Sequence, residues 1–324
     1  MALDYNRLTA ITREKVLPGI IDQIGLESVT LGKFLRKAKK TNGGTSIQVP
    51  VKYRHNSQGG YYSGLELLDS AQETTRTRAT WQWKQYHKPI VINNIEQAMN
   101  GTGGMSDVQI APLLASEMED AKSGMKDALS TALFGDGTGE DGKAMDGLLA
   151  AVDDGTNVAT YAGINRSTYT WWKAQYTALG GSLTLSAMAT MYDSVELSGK
   201  GPDVIVTTKE IWSDYEALLQ DQIRFVSNDG SGNSLDGAAT KLAYRATPIE
   251  KDEYCPSGKM FFLATDTFEM RYMPHPDYPT DGSGFAMRDL REPDNQDGKV
   301  GFIFFYHNLI CKEPRRNGQL DTIS

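Results

Sequence analysis

Residues 46–93 read SIQVPVKYRHNSQGGYYSGLELLDSAQETTRTRATWQWKQYHKPIVIN, and their pattern decides the architecture. Ile47, Val49, Val51 and Tyr53 alternate with polar positions, the period of a half-exposed strand. From about Glu73 to Asn93 the chain is dense in β-formers, among them Thr74, Thr75, Thr77, Thr80, Trp81, Trp83, Tyr86 and Ile90 to Ile92. The two runs predict one long hairpin over 46–93. Its tip, His55 to Gly64, holds three glycines and two tyrosines. A two-stranded ribbon of this length is marginal alone in water. Its stabilising surface must come from another domain or another subunit.

Outward from the hairpin, residues 1–45 read as an arm of short helical pieces. Leu17, Ile20, Ile21, Ile24 and Leu26 give it an apolar stripe that Pro18, Gly19 and Gly25 interrupt. Such an arm has little core of its own and is expected to lie on something else. On the other side, Ser106 to Phe134 predicts one long helix, capped by Ser106 and ended at Gly135, with Pro112 early in it. Ile110, Leu114, Met118, Ala121, Met125, Ala128 and Ala132 recur at threes and fours and draw a single stripe. At 1.5 Å per residue the helix spans roughly 40 Å, the length of a strut.

Residues 150–245 have α/β character. Helices are expected over Ser167 to Leu179 and over Thr184 to about Leu197, with a short buried strand over Asp203 to Thr207. Thr207 and Glu210 read as a capping box for a helix whose apolar face is Ile211, Trp212, Tyr215, Leu218 and Leu219. Residues 227–239 are rich in Gly, Ser and Asn and read as a loop. The last 80 residues turn to strand: Met260 to Ala264, Thr267 to Met273 and Lys299 to Cys311, with Pro274, Pro276 and Pro279 after the second.

Composition narrows the function classes. A chain of 324 residues with 40% hydrophobic content can bury a core. No apolar run approaches the ~20 residues that span a bilayer. Cys255 and Cys311 stand far apart, as in a cytoplasmic product with reduced thiols. Residues 1–54 hold ten Lys/Arg against four Asp/Glu, and the remainder 23 against 37, so +6 faces −14 within a total of −8. That polarity would suit a basic arm meeting an acidic body of another copy, or simply two solvated faces. No basic patch with interleaved aromatics marks a sequence-specific nucleic-acid binder.

Motifs for chemistry are weak. Gly137 to Lys143 satisfies GxxxxGK, but Ala144 follows where a hydroxyl is needed, a helix precedes it instead of a strand, and Asp136, Glu140 and Asp141 would repel phosphate. The same loop with Asp146 lacks the spacing of a calcium loop. His55, His87, His275 and His307 are scattered, outside any metal-ligand spacing. Asn100 and Asn165 head glycosylation sequons that carry no meaning without secretion. No catalytic residue, cofactor site or metal site is assigned.

The order of elements (arm, long hairpin, strut helix, α/β body, returning strands) resembles the Hong Kong 97-type major capsid proteins of tailed phages over nearly the whole chain. Four stretches carry the resemblance. They are Gly163-Ile-Asn-Arg-Ser-Thr-Tyr-Thr-Trp-Trp172, Pro202-Asp-Val-Ile-Val-Thr-Thr208, Met260-Phe-Phe-Leu-Ala with Phe268-Glu-Met-Arg-Tyr-Met273, and Asn308-Leu followed by Arg316-Asn-Gly-Gln-Leu320. The resemblance implies an α+β fold divided into an N-terminal arm (1–45), an E-loop hairpin (46–93), a P-domain with its spine helix (94–150), an α/β A-domain (151–258) and returning P-domain strands with the C-terminus (259–324).

It also implies assembly rather than catalysis. The expected product is hexamers and pentamers of an icosahedral phage head, built in the host cytoplasm around double-stranded DNA that is held without sequence-specific contacts. Each E-loop would lie over the adjacent subunit. A portal is an expected partner, a decoration protein a further one, and a separate scaffolding protein is implied because the sequence starts directly at the arm. In some relatives an E-loop lysine bonds covalently to an asparagine of a neighbour. Here the tip holds no lysine; Lys52 precedes it, Lys84 and Lys88 lie along the return strand, and Asn308 has no assigned reactive role. Two other readings stay open: an encapsulin compartment of the same fold, and a soluble α/β enzyme.

Overall fold

The computed structural model describes residues 28–100, 113–219, 242–278, 280, 284–293 and 297–324. Helix α1 (Val29–Arg36) and the short strand β1 (Lys39–Lys40) lead into β2 (Ser46–Lys52), β3 (Arg76–Gln82) and β4 (Lys84–Asn93). Helices α2 (Asn94–Asn100), α3 (Leu113–Leu133) and α4 (Leu148–Ala151) follow, then β5 (Thr160–Tyr161), β6 (Ile164–Asn165) and β7 (Gln175–Gly181). The body continues through α5 (Leu185–Val195), β8 (Val204–Thr207), α6 (Lys209–Leu219), β9 (Ala243–Tyr244) and β10 (Thr247–Lys251). Strands β11 (Met260–Leu263), β12 (Phe268–Met273), β13 (Phe285–Arg291), β14 (Gly298–Cys311) and β15 (Gly318–Ile323) complete the chain.

Two sheets organise these elements. In the first, β14 is the axis: β4 lies along one edge from Gly298↔Asn93 to His307↔Lys84. Strands β12 and β13 share its other edge, and β1 extends the sheet beyond β12. Alternation along β14 buries Ile303, Phe305 and His307 while Phe302, Phe304 and Tyr306 stay half-buried. Helix α3 supplies Ala121, Met125, Leu129 and Leu133 to the same core, with Met118 and Ala132 packed at its margin. The second sheet runs β7-β15-β11-β8-β10-β9. Its strands β8 and β11 are buried throughout, as hydrophobic runs covered on both faces should be, and α5 and α6 pack on it through Met188, Met191, Ile211 and Tyr215.

Several expectations need correction. The arm, where described, lies on its own body: Leu31 and Phe34 are buried, and Phe34 meets Phe268 at 5.4 Å between ring centres. Ser28 caps α1 and donates to Asp252 at 2.7 Å. The basic residues follow the same rule. Lys33 pairs with Glu250 and Lys39 with Glu269, each at 2.6 Å, so these two arm charges meet acidic residues of the same chain. Burial alone would raise Glu269, but hydrogen bonds from Lys312, Lys39 and Arg271 bring it down to about 2.

The hairpin is shorter than its sequence suggests. β2 and β3 pair from Ser46↔Gln82 to Lys52↔Arg76, the ladder breaks at Trp83, and β4 crosses into the first sheet. Burial decides this, because Ile90 joins the core that α3 lines and Ile92 is buried too, which a free ribbon does not allow. The helix expected over 167–179 is a single 3₁₀ turn, Thr170–Trp172, followed by β7, which pairs in parallel with β15. Edge pairing with β15 overrides the helical reading of this segment. The cap of α6 is Thr208, whose Oγ1 accepts from Ile211 N at 3.5 Å; the Thr207 hydroxyl donates instead to Lys259 O at 3.1 Å. Thr184, where the sequence starts this helix, is the cap of α5. Ser106, Ile110, Pro112, the 227–239 loop and Pro279 lie outside the described residues.

His307 has a consequence for stability. It is 2% exposed, Nδ1 donates to Phe305 O at 3.3 Å, and Nε2 is buried without a hydrogen-bond partner. Burial brings its pKa down from 6.5 to about 4. The unfolded chain therefore binds more protons than the folded one between those values, and stability falls as pH drops through that window. The full effect is roughly 3 kcal/mol. Denaturant unfolding at pH 7 and pH 4.5 should show this loss in the wild type and a smaller one in His307→Phe. Equal acid sensitivity of both proteins would refute it.

Candidate assembly interface

The segment 53–75 joins β2 to β3 and stands out from the body, so its root must be rigid for it to be placed at all. Trp81 on β3 is 1% exposed and packs edge-on against Tyr161 at 5.8 Å and against Trp172 at 6.4 Å. Thr80 N donates to Ala162 O at 2.9 Å, tying β3 to the β5–β6 turn. That turn holds Ala162 and Gly163 at φ +53 and +75, where the glycine relieves half of the strain.

Beneath it lies a buried ion pair. Arg166 is fully buried, and its guanidinium donates to Ala150 O and Ala151 O at 2.8 Å and to Val158 O at 3.1 Å. It stands 3.8 Å from Asp153, whose carboxylate accepts from Gly155 N, Val158 N and Asn157 Nδ2. Burial lowers the Arg166 pKa from its ordinary value, against the pull of Tyr161 and Asp153. A buried pair this well hydrogen-bonded fixes the 150–166 turn that receives Trp81.

From this root the loop is braced only over its first residues. Tyr53 stacks on Trp171 at 5.1 Å, and its hydroxyl donates to Thr74 O at 2.6 Å. Glu73 accepts from Ser57 N at 3.0 Å and Ser57 Oγ at 2.7 Å, and these bonds hold its carboxyl below the usual range. Beyond Gln58 the hydrogen bonds are local, such as Ser63 N to Glu66 Oε2 at 3.1 Å, and Tyr61, Leu65 and Leu67 are about as exposed as in an isolated peptide, at 109, 106 and 101%. Tyr62 and Leu68 are also exposed. A second uncovered set, Val91, Ile95 and Met99, runs from β4 onto α2. Exposing several large apolar side chains together is the mark of a surface that another molecule covers.

The other motifs come to different ends. The Gly137 to Lys143 loop follows α3, with Glu140 and Asp141 in left-handed conformations. Asp136 accepts from Thr138, Asp146 bonds Asn308, and Glu140 and Asp141 are exposed, so the four carboxylates do not converge. His55 is exposed on the loop, His275 stacks on Phe304 and Tyr306, and His87 faces Phe302. Among the described residues no group of three His, Cys, Asp or Glu is placed to hold a metal, and no helix is long and apolar enough to cross a membrane. Cys255 and Cys311 are free and buried, Lys52 is exposed at the end of β2, and Asn165 caps its own turn by accepting from Ser167 N at 2.8 Å. The sequence reading passed over Leu65, Leu67 and Leu68; the signal was an L-E-L-L run inside an otherwise polar loop.

No protein-family model matches the sequence, and no curated protein does. Solved structures do. The cyanophage A-1(L) capsid asymmetric unit superposes with a TM-score of 0.70 at 17% identity, covering 97% of this chain and 98% of that one. The capsid of a native GTA particle gives 0.64 at 12% identity, with 99 and 98% covered. The holo-SrpI encapsulin complex from Synechococcus elongatus gives 0.62 at 12% identity, with 100 and 97% covered. The similarity runs the full length of both partners in each case, and the chain has the Hong Kong 97-type capsid fold that the order of its elements implied.

Proposed function

We propose that this chain is a major capsid protein. It assembles with copies of itself into the hexamers and pentamers of an icosahedral phage head around double-stranded DNA. Its place is the virion, after assembly in the host cytoplasm, and its role is structural rather than enzymatic. A scaffolding protein, a portal and a decoration protein are its proposed further partners, and its contacts with DNA are independent of sequence.

One observation carries this reading: a loop rooted rigidly at Trp81 presents Tyr61, Tyr62, Leu65, Leu67 and Leu68 to water. Burying an apolar side chain of this size stabilises by roughly 1.5–3 kcal/mol, so five of them on one loop are a strong drive to associate. A second copy of the chain, placed over the loop as adjacent subunits are in such shells, is the covering surface. The encapsulin reading shares the fold, but the greater similarity to the cyanophage capsid, 0.70 against 0.62, favours the phage head.

Replacing Leu65, Leu67 and Leu68 together with serine should leave the thermal melt of the body unchanged and abolish megadalton particles in light scattering. Unchanged particle yield would remove the loop from the interface, and an unfolded variant would place the loop on its own body. Particles boiled in detergent and reductant should run as a single band near 35.6 kDa. A ladder of covalent oligomers would contradict a shell held by non-covalent contacts.

A further inference from the structure

The dipeptide Asn-Gly occurs three times, at Asn42-Gly43, Asn100-Gly101 and Asn317-Gly318. The last is locked into the body. Asn317 is fully buried. Its Oδ1 accepts from Ala264 N at 2.9 Å, and its Nδ2 donates to Thr267 Oγ1 at 3.0 Å and to Glu313 O at 3.1 Å. Its backbone is extended, at φ −123 and ψ 148, where the chain enters β15. Gly101 lies outside the described residues. Asn42-Gly43 is the opposite case. It sits in the turn between β1 and β2, with both residues exposed. Gly43 has φ +73, and a Cβ there would meet nothing within 4 Å. Among the described residues, neither the Asn42 carboxamide nor the Gly43 N–H has a hydrogen-bond partner. The turn is fastened on either side of them: Thr41 N donates to Tyr272 O at 2.9 Å, and Gly44 O accepts from Trp83 Nε1 at 3.0 Å.

In Asn-Gly the side-chain carbonyl carbon and the next backbone nitrogen are tethered a few bonds apart, so their reaction is intramolecular and needs only the right rotation. Glycine brings no side chain to shield that nitrogen and leaves the backbone free to turn. The surrounding fold then decides whether the two groups can meet, and it decides differently at the two described sites. We propose that Asn42 is a site of self-modification: Asn42-Gly43 closes to a succinimide that opens to isoaspartate and aspartate, while Asn317-Gly318 stays intact.

Gly43 N attacks Cγ of Asn42, the new N–Cγ bond forms, and the Cγ–Nδ2 bond breaks. The proton of the attacking amide leaves with Nδ2 as ammonia. Water then adds to either ring carbonyl, the ring bond to nitrogen breaks there, and a proton of the water passes to Gly43 N. Opening at Cγ gives aspartate. Opening at the main-chain carbon gives isoaspartate, whose backbone runs through the side chain and is one carbon longer. Water enters and ammonia leaves, with no oxidant, metal or second enzyme. Either product adds a negative charge next to Lys39 and Lys40. Isoaspartate also lengthens the chain between the two fastened sides of the turn, where the arm passes into the hairpin. At Asn317 the same closure must first break the hydrogen bonds of a buried side chain, a local opening that slows it about tenfold or more. Both sites lie within one chain, so the inference stands apart from the shell reading.

Incubating the purified full-length protein at mildly alkaline pH and mapping its tryptic peptides over time tests this. Peptide 41–52 should gain the mass of an NH2-to-OH exchange at Asn42, about tenfold or more ahead of the exchange at Asn317 in peptide 317–324. Enzymatic methylation of isoaspartyl residues should label the product. In guanidinium, where the fold is lost, the two sites should convert at similar rates. Asn42→Gln, checked for folding by thermal melt, should leave peptide 41–52 at its original mass. An Asn42 that stays intact in the folded protein while it reacts in guanidinium would overturn the proposal, because the turn would then be held. So would equal conversion of Asn42 and Asn317 in the folded protein, or a mass gain in peptide 41–52 that persists in Asn42→Gln. Because the measurement needs no particles, its failure is distinct from a failure of assembly.

Discussion

Everything outside the body depends on one buried contact, the seating of Trp81 against the stacked pair Tyr161 and Trp172. A two-stranded ribbon has no core of its own and in water would fray. Here β3 enters the body at its last residues, gives Ala79 and Trp81 to the main core, and donates a backbone hydrogen bond to the β5–β6 turn. The turn that forms the socket is held in place by Arg166, which satisfies the last carbonyls of α4 and pairs with Asp153. The result is a stiff root with a free far end. Association through such a loop loses less conformational freedom than it would through a flexible tether.

The body is built to hold that root still. β14 binds three strands directly into one sheet, with β4 against one edge and β12 and β13 against the other. Strand β4, the continuation of the hairpin, is thereby locked along ten residues. The arm adds a clasp on the far side, where Lys39, Lys312 and Arg271 converge on Glu269. Partly buried clusters of this kind keep more of their strength than isolated surface pairs, because solvent screens them less.

Much of this was legible in the sequence. Order of elements, the stripe on the strut helix, the start of α5 and the buried strands β8, β11 and β12 all follow from local rules that the tertiary structure respects. The misreadings share one cause. Ser167 to Leu179, the break at Trp83 and the shift of the α6 cap to Thr208 were each decided by a partner distant in sequence: β15 for the first, β14 and α3 for the second, Lys259 for the third. The basic arm misled in another way: net charge says nothing of which chain the counter-charge belongs to.

The central claim is that the folded chain is incomplete until copies of itself cover the loop. Negative-stain microscopy of the wild-type protein, expressed with and without its scaffolding partner, tests this most directly. Closed shells or ordered capsomer arrays are the predicted result. A monodisperse monomer under every condition, scaffold included, would contradict it.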